Sequence, residues 1–386
     1  MSRPKILAYY FPNWHEDLRN TKWFGKHWTE WRLLQEATPR FPGHRQPRVP
    51  ALGYFDEAVP AVAEMQIDLA TSYGVDGFLV DYYWYDDGPY LQRALDEGLL
   101  LARNSHQIDF ALMWANHELL NIFPLDTASA QPTVLKRGAI DRVAFESFVM
   151  HVLDAYFWRD NYLKVEGRPW FTIYEIGTFI QGLGGIEEAA DALRWFREKV
   201  EERGFPGLHL DAIVWSFGVL PTAITVDDPA HLLNVLGFDS ASSYVWMHHV
   251  DLEAQQFPIG DVELMQEQAF LEYEEYATNL QVPFYPNVSV GWDTTPRTRA
   301  TTPYLPAQYA TPIWDQSPEE FERGLRRAAA FLDCHHPEPA FVTINAWNEW
   351  TEGSALLPDT HHGLGFLEAI RRVFGVAVER QPRPSE

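Results

Sequence analysis

The chain of 386 residues is 46% hydrophobic and 15% aromatic, with 15 Trp and 17 Tyr, enough apolar material for one large or two ordinary cores. A formal charge of -24 repels phosphate and so argues against nucleic acid or an anionic membrane as partner. The single cysteine, Cys334, excludes an intramolecular disulfide and any multi-cysteine metal site. No run approaches the roughly 18 apolar residues of a membrane helix. The N-terminal MSRPKILAYYF has too short an apolar run, and no small-residue cleavage pattern, for a secretory signal. A soluble cytoplasmic protein is expected, or a secreted one if a signal has been removed.

In chain order, apolar runs closed by Gly, Pro or polar residues predict strands, and segments with apolar residues at helical spacing predict the helices between them. The first strand is 6–11 (ILAYYF), closed by Pro12. A long loop follows, 12–50, rich in Trp and carrying FGKHWTEW and FPGHRQPRVP. Loops of that length in a compact domain are usually functional. A helix is predicted over 55–73, a strand over 77–84 (GFLVDYYW) and a helix over 89–103. The third strand is 110–118 (FALMWANHE), with a helix over 142–157 after a Pro- and Thr-rich connection. The fourth strand is 169–176, with a helix over 186–203. The fifth and sixth are 208–217 and 238–246, followed by an acidic helix over 264–280. The seventh strand, 283–293, leads into a second long loop, 294–312. A helix over 318–332, the eighth strand 341–347 and a last helix over 364–374 complete the set. Residues 377–386 are too polar to bury and are expected to be a disordered tail.

Eight strand and helix pairs with crossovers suited to parallel pairing predict an α/β fold, a (β/α)8 TIM barrel forming one domain over residues 1–376, with long βα loops after strands 1 and 7. A doubly wound sheet is the alternative, but no G-x-G-x-x-G turn follows the first strand.

Active sites of such barrels lie at the C-terminal strand ends. Here strand after strand turns polar or aromatic at that end: Tyr10; Asp81, Tyr83 and Trp84; Trp114, Asn116 and Glu118; Tyr174 and Glu175; Trp215; Tyr244 and Trp246; Trp292 and Asp293; Asn348 and Glu349. A ring of such ends describes a cup with an aromatic wall and several carboxylates, suited to stacking on a sugar ring and bonding its hydroxyls. All of these except Trp215 are taken as substrate-binding candidates, with Glu349 counted separately. The eighth strand is the most informative, because FVTINAWNEWTEGS delivers Glu349 and Glu352 three residues apart before Gly353. If the chain turns there, the two Cα atoms lie within about 7 Å and both carboxyls reach one substrate. Glycoside cleavage needs one protonated and one ionised carboxyl, and two acids at close range in an aromatic cup push their pKa values apart. Glu349 and Glu352 are therefore the catalytic candidates.

The sequence also resembles the WbsX-like polysaccharide-biosynthesis proteins and, more distantly, glycoside hydrolase family 99, the endo-α-mannosidases and endo-mannanases. The resemblance rests on AYYFPNW, WFGKHWTEW, FPGHRQPRVP, LGYFDE, YGVDGFLVDYYW, FALMWANHE, VEGRPWFTIYE, VSVGWDTTPR and NAWNEWTEGSALLPD, which together span nearly the whole chain. It implies a (β/α)8 barrel, catalysis without a metal or other cofactor, and retaining hydrolysis of α-linked, mannose-like glycans. By that resemblance Glu352 is the general acid and base at the glycosidic oxygen. Glu349 deprotonates the sugar 2-hydroxyl, which attacks C1 to give a 1,2-anhydro sugar. The family 99 motif has His where this chain has Thr351.

Other chemistries find little footing. The histidine doublets at His248, His335 and His361 lack the spacing of a helical zinc motif. No Walker motif and no G-x-S-x-G elbow occur. Asp86 and Asp87 mimic the acidic pair of a nucleotide-sugar glycosyltransferase, but Gly88 and Pro89 make a turn the plainer role. The alternatives to a hydrolase are a glycosyltransferase of lipopolysaccharide or exopolysaccharide synthesis and a non-catalytic glycan-binding barrel. Each takes an oligosaccharide or polysaccharide partner, and the sequence does not fix the oligomeric state.

Overall fold

The computed structural model describes residues 3–125, 132–215, 228–306 and 310–376. Its main sheet contains strands β1 Lys5–Tyr10, β2 Gly77–Tyr85, β3 Asp109–Trp114, β4 Arg168–Ile173, β5 His209–Ile213, β6 Ser240–Ser242, β7 in two halves (Phe284–Tyr285 and Asn287–Ser289), and β8 Phe341–Asn345. All neighbours are parallel: β1 pairs with β2, β2 with β3, β3 with β4, β4 with β5 and β5 with β6. The first half of β7 pairs with β6, the second half with β8, and β8 returns to β1 with Lys5 opposite Phe341. One residue, Pro286, separates the halves, so the chain closes the ring. Proline has no amide hydrogen to give the ladder, although its carbonyl still accepts from the Thr343 amide at 3.0 Å. The predicted (β/α)8 barrel is the observed fold.

The strands are buried on both faces, the outer face under helices and the inner face against side chains of the other strands, which is why they read as apolar runs. Helices α1 Leu18–Phe24 and α2 Trp31–Glu36 lie in the first long loop, and α3 Pro60–Ser72 follows it. Further along are α4 Arg142–Ala155, α5 Ile176–Leu183, α6 Ile186–Glu202, α7 Pro229–Leu236, α8 Val262–Asn279, α9 Pro318–His335 and α10 Gly365–Phe374. Local rules set their starts. Asp141 caps α4 through the Ala144 amide, and Ser317 and Glu320 form a reciprocal capping box on α9 with Pro318 at its first turn. No helix among the described residues is long and apolar enough to cross a membrane.

Several expected elements change. In place of a helix over 89–103 the chain makes a hairpin strand, Gly88–Tyr90, against the end of β2, then a π-helical turn, Ala94–Gly98, and a 3-10 turn. Gly98 presses on the backbone of Glu57, where a Cβ would meet its carbonyl oxygen at 1.9 Å. The helix α5 was unforeseen. The sixth strand is much shorter than 238–246, because the Ser243 carbonyl takes the Tyr9 and Thr343 hydroxyls at 3.1 and 3.2 Å in place of a neighbouring strand. The expected end of the fifth strand at 216–217 and the tail 377–386 lie outside the described residues.

The two long loops are tied together over one end of the barrel. His44 and Gln46 of the first loop bond the Asp293 carboxylate at 2.9 and 2.7 Å, and Arg45 and Arg48 hold Asp315. Arg48 also donates to the Gly353 carbonyl at 2.8 Å, so the strap reaches the turn that carries the two glutamates.

Candidate active site

After β8 the chain does turn. Residues Trp350–Glu352 form a 3-10 turn in which the amides of Glu352 and Ser354 both donate to the Glu349 carbonyl, at 3.2 and 3.1 Å. Gly353 ends it at φ 70°, and a Cβ there would lie 2.7 Å from the Asp293 Cβ. Only glycine satisfies both demands without strain. The turn sets both carboxyls on a cavity of about 820 Å³ at the C-terminal end of the barrel.

The cavity is also lined by Asp81, Tyr83, Glu118, Tyr174, Glu175, Tyr244 and Trp292, each expected from the strand ends. Tyr244 links two of the acids: its hydroxyl is 2.7 Å from Glu349 Oε2 and 3.0 Å from Asp81 Oδ2. One hydroxyl hydrogen serves one acceptor fully, so the two acids compete for it. The other Asp81 oxygen, Oδ1, is buried on the cavity wall without a partner. Tyr174 packs edge-on to both Tyr244 and Trp215, and Trp215 stacks face to face on His248, with ring centroids 3.8 Å apart. Glu118 is exposed. Glu175 spends its carboxylate on capping α5, accepting from the amides of Gly177 and Thr178 at 3.1 and 2.9 Å.

The remaining candidates sit off the cavity, each for a packing reason. Tyr10 turns outward to hydrogen-bond Glu57 and pack on Phe78. Trp84 and Trp114 lie on Phe148 of α4, outside the barrel. Trp246 is fully buried, its indole donating to the Asn287 carbonyl at 2.9 Å. Asn116 joins adjacent strand ends by bonding both the amide and the carbonyl of Glu175. Asn348 does the same for Phe11 and also donates to Glu57. Asp293 anchors the loop strap; burial alone would raise its carboxyl, but His44, Arg48 and Thr295 outweigh that and hold it at about 2.

Two residues that the strand-end reading missed complete the site. Arg297, from the loop after β7, reaches Glu352 through Nη1, and its Nη2 lies 3.3 Å from Glu30 and 3.5 Å from Glu349. Glu30 is fully buried and also accepts from Asn13 Nδ2 at 2.8 Å and from the Thr351 hydroxyl. The rings of Phe11 and Phe123 each lie 5.6 Å from the guanidinium. Burial would lower the Arg297 pKa, but Glu30, Glu352 and Glu349 overcome it and keep the cation charged. Both residues stand in quoted motifs, HWTEW and TTPR, yet loops bring them in, and loop paths are not written in periodicity.

The electrostatics follow from three carboxyls, Glu30, Glu349 and Glu352, against one cation, with Asp81 linked to them through Tyr244. Burial raises Glu349, Glu352 and Asp81 above the usual carboxylate range. The charge of Glu352 raises Glu349 further, while Arg297 pulls both back. Glu349 hydrogen-bonds Glu352, and the closest Arg297 contact is to Glu352, so Glu349 is the acid raised further of the two. Two carboxyls in hydrogen-bond contact, one protonated and one ionised, can protonate one oxygen and deprotonate another.

The transferase-like pair Asp86 and Asp87 is occupied otherwise. Lys136 binds both at 2.9 and 2.7 Å, and Arg19 binds Asp87 at 2.9 Å. Among the described residues no group of three or more His, Cys, Asp or Glu is placed to hold a metal ion. A chain of Ser243, His249 and Glu272, with contacts of 2.6 Å each, has the order of a nucleophilic triad. Ser243 is fully buried, held by Tyr273, and does not line the cavity.

A family described as "Glycosyltransferase WbsX" matches residues 6–370. Two curated proteins named "Uncharacterized protein WxcX", from two strains of Xanthomonas campestris pv. campestris, are 30% identical over 394 residues, covering 95% of this chain and 49% of each relative. The chain thus spans about half the length of the curated relatives it matches. Among solved structures, a "Glycoside hydrolase-like protein" superposes with TM-score 0.63 at 13% identity, covering 98% of this chain and 95% of that one. A GH99 endo-alpha-mannosidase from Bacteroides thetaiotaomicron superposes with TM-score 0.57 at 12% identity, covering 96% of each chain. At these identities the structural likeness is one of fold.

Proposed function

The chain belongs to the WbsX family, and from that membership and the geometry of its cavity we propose that it hydrolyses O-glycosidic bonds of α-linked, mannose-like glycans with retention of configuration. The observation that carries this is the placing of Glu349 and Glu352 on one turn of the cavity wall, both raised by burial and bonded to each other, and in this reading the pair shares one proton. An inverting pair stands roughly 6.5–9.5 Å apart to admit a water between them, and two carboxyls in contact have no such room.

In the proposed reaction the shared proton moves along the Glu349 to Glu352 hydrogen bond. Glu352 then gives it to the glycosidic oxygen as the C1 to oxygen bond breaks. Glu349, now ionised, takes the proton of the sugar 2-hydroxyl, whose oxygen closes on C1 to form a 1,2-anhydro sugar. In the second half Glu352 takes a proton from water as its oxygen attacks C1, and Glu349 returns a proton to O2. Two inversions at C1 give net retention, and passage of the proton from Glu352 back to Glu349 restores the pair. Asp81, with an unpartnered oxygen on the wall, would accept a sugar hydroxyl, and Tyr83, Tyr174, Tyr244, Trp292 and Glu118 would line the ring.

The family's description favours a second reading, a glycosyltransferase using a nucleotide sugar. Against it, Arg297 is the one cation among the described residues that line the cavity, and three carboxyls already occupy it, which leaves little to hold a diphosphate. The test is a time course of anomeric proton NMR against a panel of α- and β-linked oligosaccharides, mannose-containing ones foremost, with Glu349→Ala and Glu352→Ala beside it. The hydrolase reading expects a product of retained configuration that disappears in both variants. Turnover that requires an added nucleotide sugar would overturn it in favour of the transferase. Glycan affinity without turnover, unchanged in both variants, would favour a binding barrel.

A further inference from the structure

The reaction above leaves Glu30 and Arg297 without a part, yet they are among the most constrained side chains of the cavity. Glu30 has no exposed surface, and its two oxygens are taken by Asn13, Thr351 and Arg297. Arg297 in turn has Glu30 on one side, the acid pair on the other and phenyl rings at 5.6 Å. The guanidinium is therefore held between opposing acids, and its position depends on both.

We infer that Glu30 is a positioning residue for the acid pair: it anchors the Arg297 guanidinium so that the cation contacts Glu352 without neutralising both acids, and the pair keeps one proton to give. The inference rests on the glycosidase reading for its consequence, though not for its geometry. Thr351 belongs to the same device, since its hydroxyl holds Glu30 from within the catalytic turn itself.

The other titratable groups facing the pair do not supply competing charge. Tyr83, Tyr174 and Tyr244 are raised by burial and stay neutral phenols. Burial lowers His117 and His248, which stay neutral too. Charge at the pair then comes from Asp81, Glu30 and Arg297. Of these, Asp81 is bonded to Tyr244, and Glu30 raises Glu352 while Arg297 lowers it. Removing the Glu30 charge tips that balance toward the cation.

The test is Glu30→Gln, which keeps the size of the side chain and an oxygen for Thr351 while removing the charge. The basic limb of the pH profile of kcat is expected to move to lower pH by about one unit, the scale of one nearby charge. Arg297→Gln should move the same limb to higher pH, and it serves as an independent arm if Glu30→Gln does not fold. A fall in kcat with the limb unmoved in both variants would make Glu30 a packing residue and overturn the inference. A second readout needs no substrate: the infrared band of protonated carboxyl groups in the full chain, followed against pH and assigned with Glu349→Gln. Loss of that band at lower pH in Glu30→Gln supports the inference even if no glycan is cleaved, an outcome that would count against the glycosidase reading alone. A band titrating identically in wild type and Glu30→Gln overturns it.

Discussion

Replacing Asp293 by Asn tests whether the strap between the long loops holds the fold as well as the site. The carboxyl sits at about 2 against an ordinary 3.8, and at about 1.36 kcal/mol per unit this difference corresponds to about 2.5 kcal/mol of stability at neutral pH. The group is 1% exposed, so solvent screening takes little away. Asn keeps the shape and one acceptor but loses the charge that faces His44 and Arg48. The sign is that of a depressed acid: the contribution is complete above pH 3.8 and disappears as pH falls through 2, with about half remaining at pH 3. Urea unfolding of wild type and Asp293→Asn at pH 7 and pH 3 reads both quantities. A deficit of about 2–3 kcal/mol at pH 7 that shrinks by about half at pH 3 is expected. Equal midpoints at pH 7, or a deficit that ignores pH, would refute the argument. Because the Asp293 amide also donates to the Glu352 carbonyl at 2.6 Å, activity should fall with stability.

Conservative changes of the pair, Glu349→Gln and Glu352→Gln, should each lower kcat on any cleaved glycan by about 10²–10⁴-fold while circular dichroism stays that of the wild type, because the loss is of proton transfer. Gly353→Ala forces a Cβ into a left-handed position against Asp293, and should cost at least about 1 kcal/mol in chemical denaturation and lower kcat with it. Inside the barrel, burial pushes Asp211 to about 7 although Ser242, Ser240 and Thr172 donate to it. A raised acid stabilises most below its ordinary range and loses that contribution as pH rises through about 7. Thermal midpoints should therefore fall between pH 6 and pH 8 in the wild type and fall less in Asp211→Asn.

The barrel was legible because each β-strand is covered on both faces and so reads as an apolar run, which is a pattern of composition. The turn carrying Glu349 and Glu352 was legible for another reason: Gly353 marks where the strand's direction must end. What composition does not record is the direction of a side chain at a strand end. Successive residues of a strand face opposite ways, so Tyr83 lines the cavity while Trp84 packs on α4. Reading Tyr10, Trp84, Trp114 and Trp246 as wall residues counted both faces as one. Asn116, Asn348 and Asp293 belong to the right end of the barrel, but they hold backbone and loops there. Arg297 and Glu30 meet only because two loops, more than 260 residues apart in sequence, are strapped together, and no local pattern reports such a meeting.

The closure of the ring also sets a timetable. The first strand completes its ladder only by pairing with β8, Lys5 against Phe341, so one of its edges stays open until the eighth strand has been made. At roughly 5–20 residues per second, that wait is on the order of tens of seconds. Through it the segment KILAYY, apolar and rich in tyrosine, offers unpaired amides and carbonyls to any other nascent chain. The interrupted β7 lengthens the hazard, since each of its short halves holds a neighbour by only two or three residues. The protein should therefore be most vulnerable to misassociation during its own synthesis, while that edge is open.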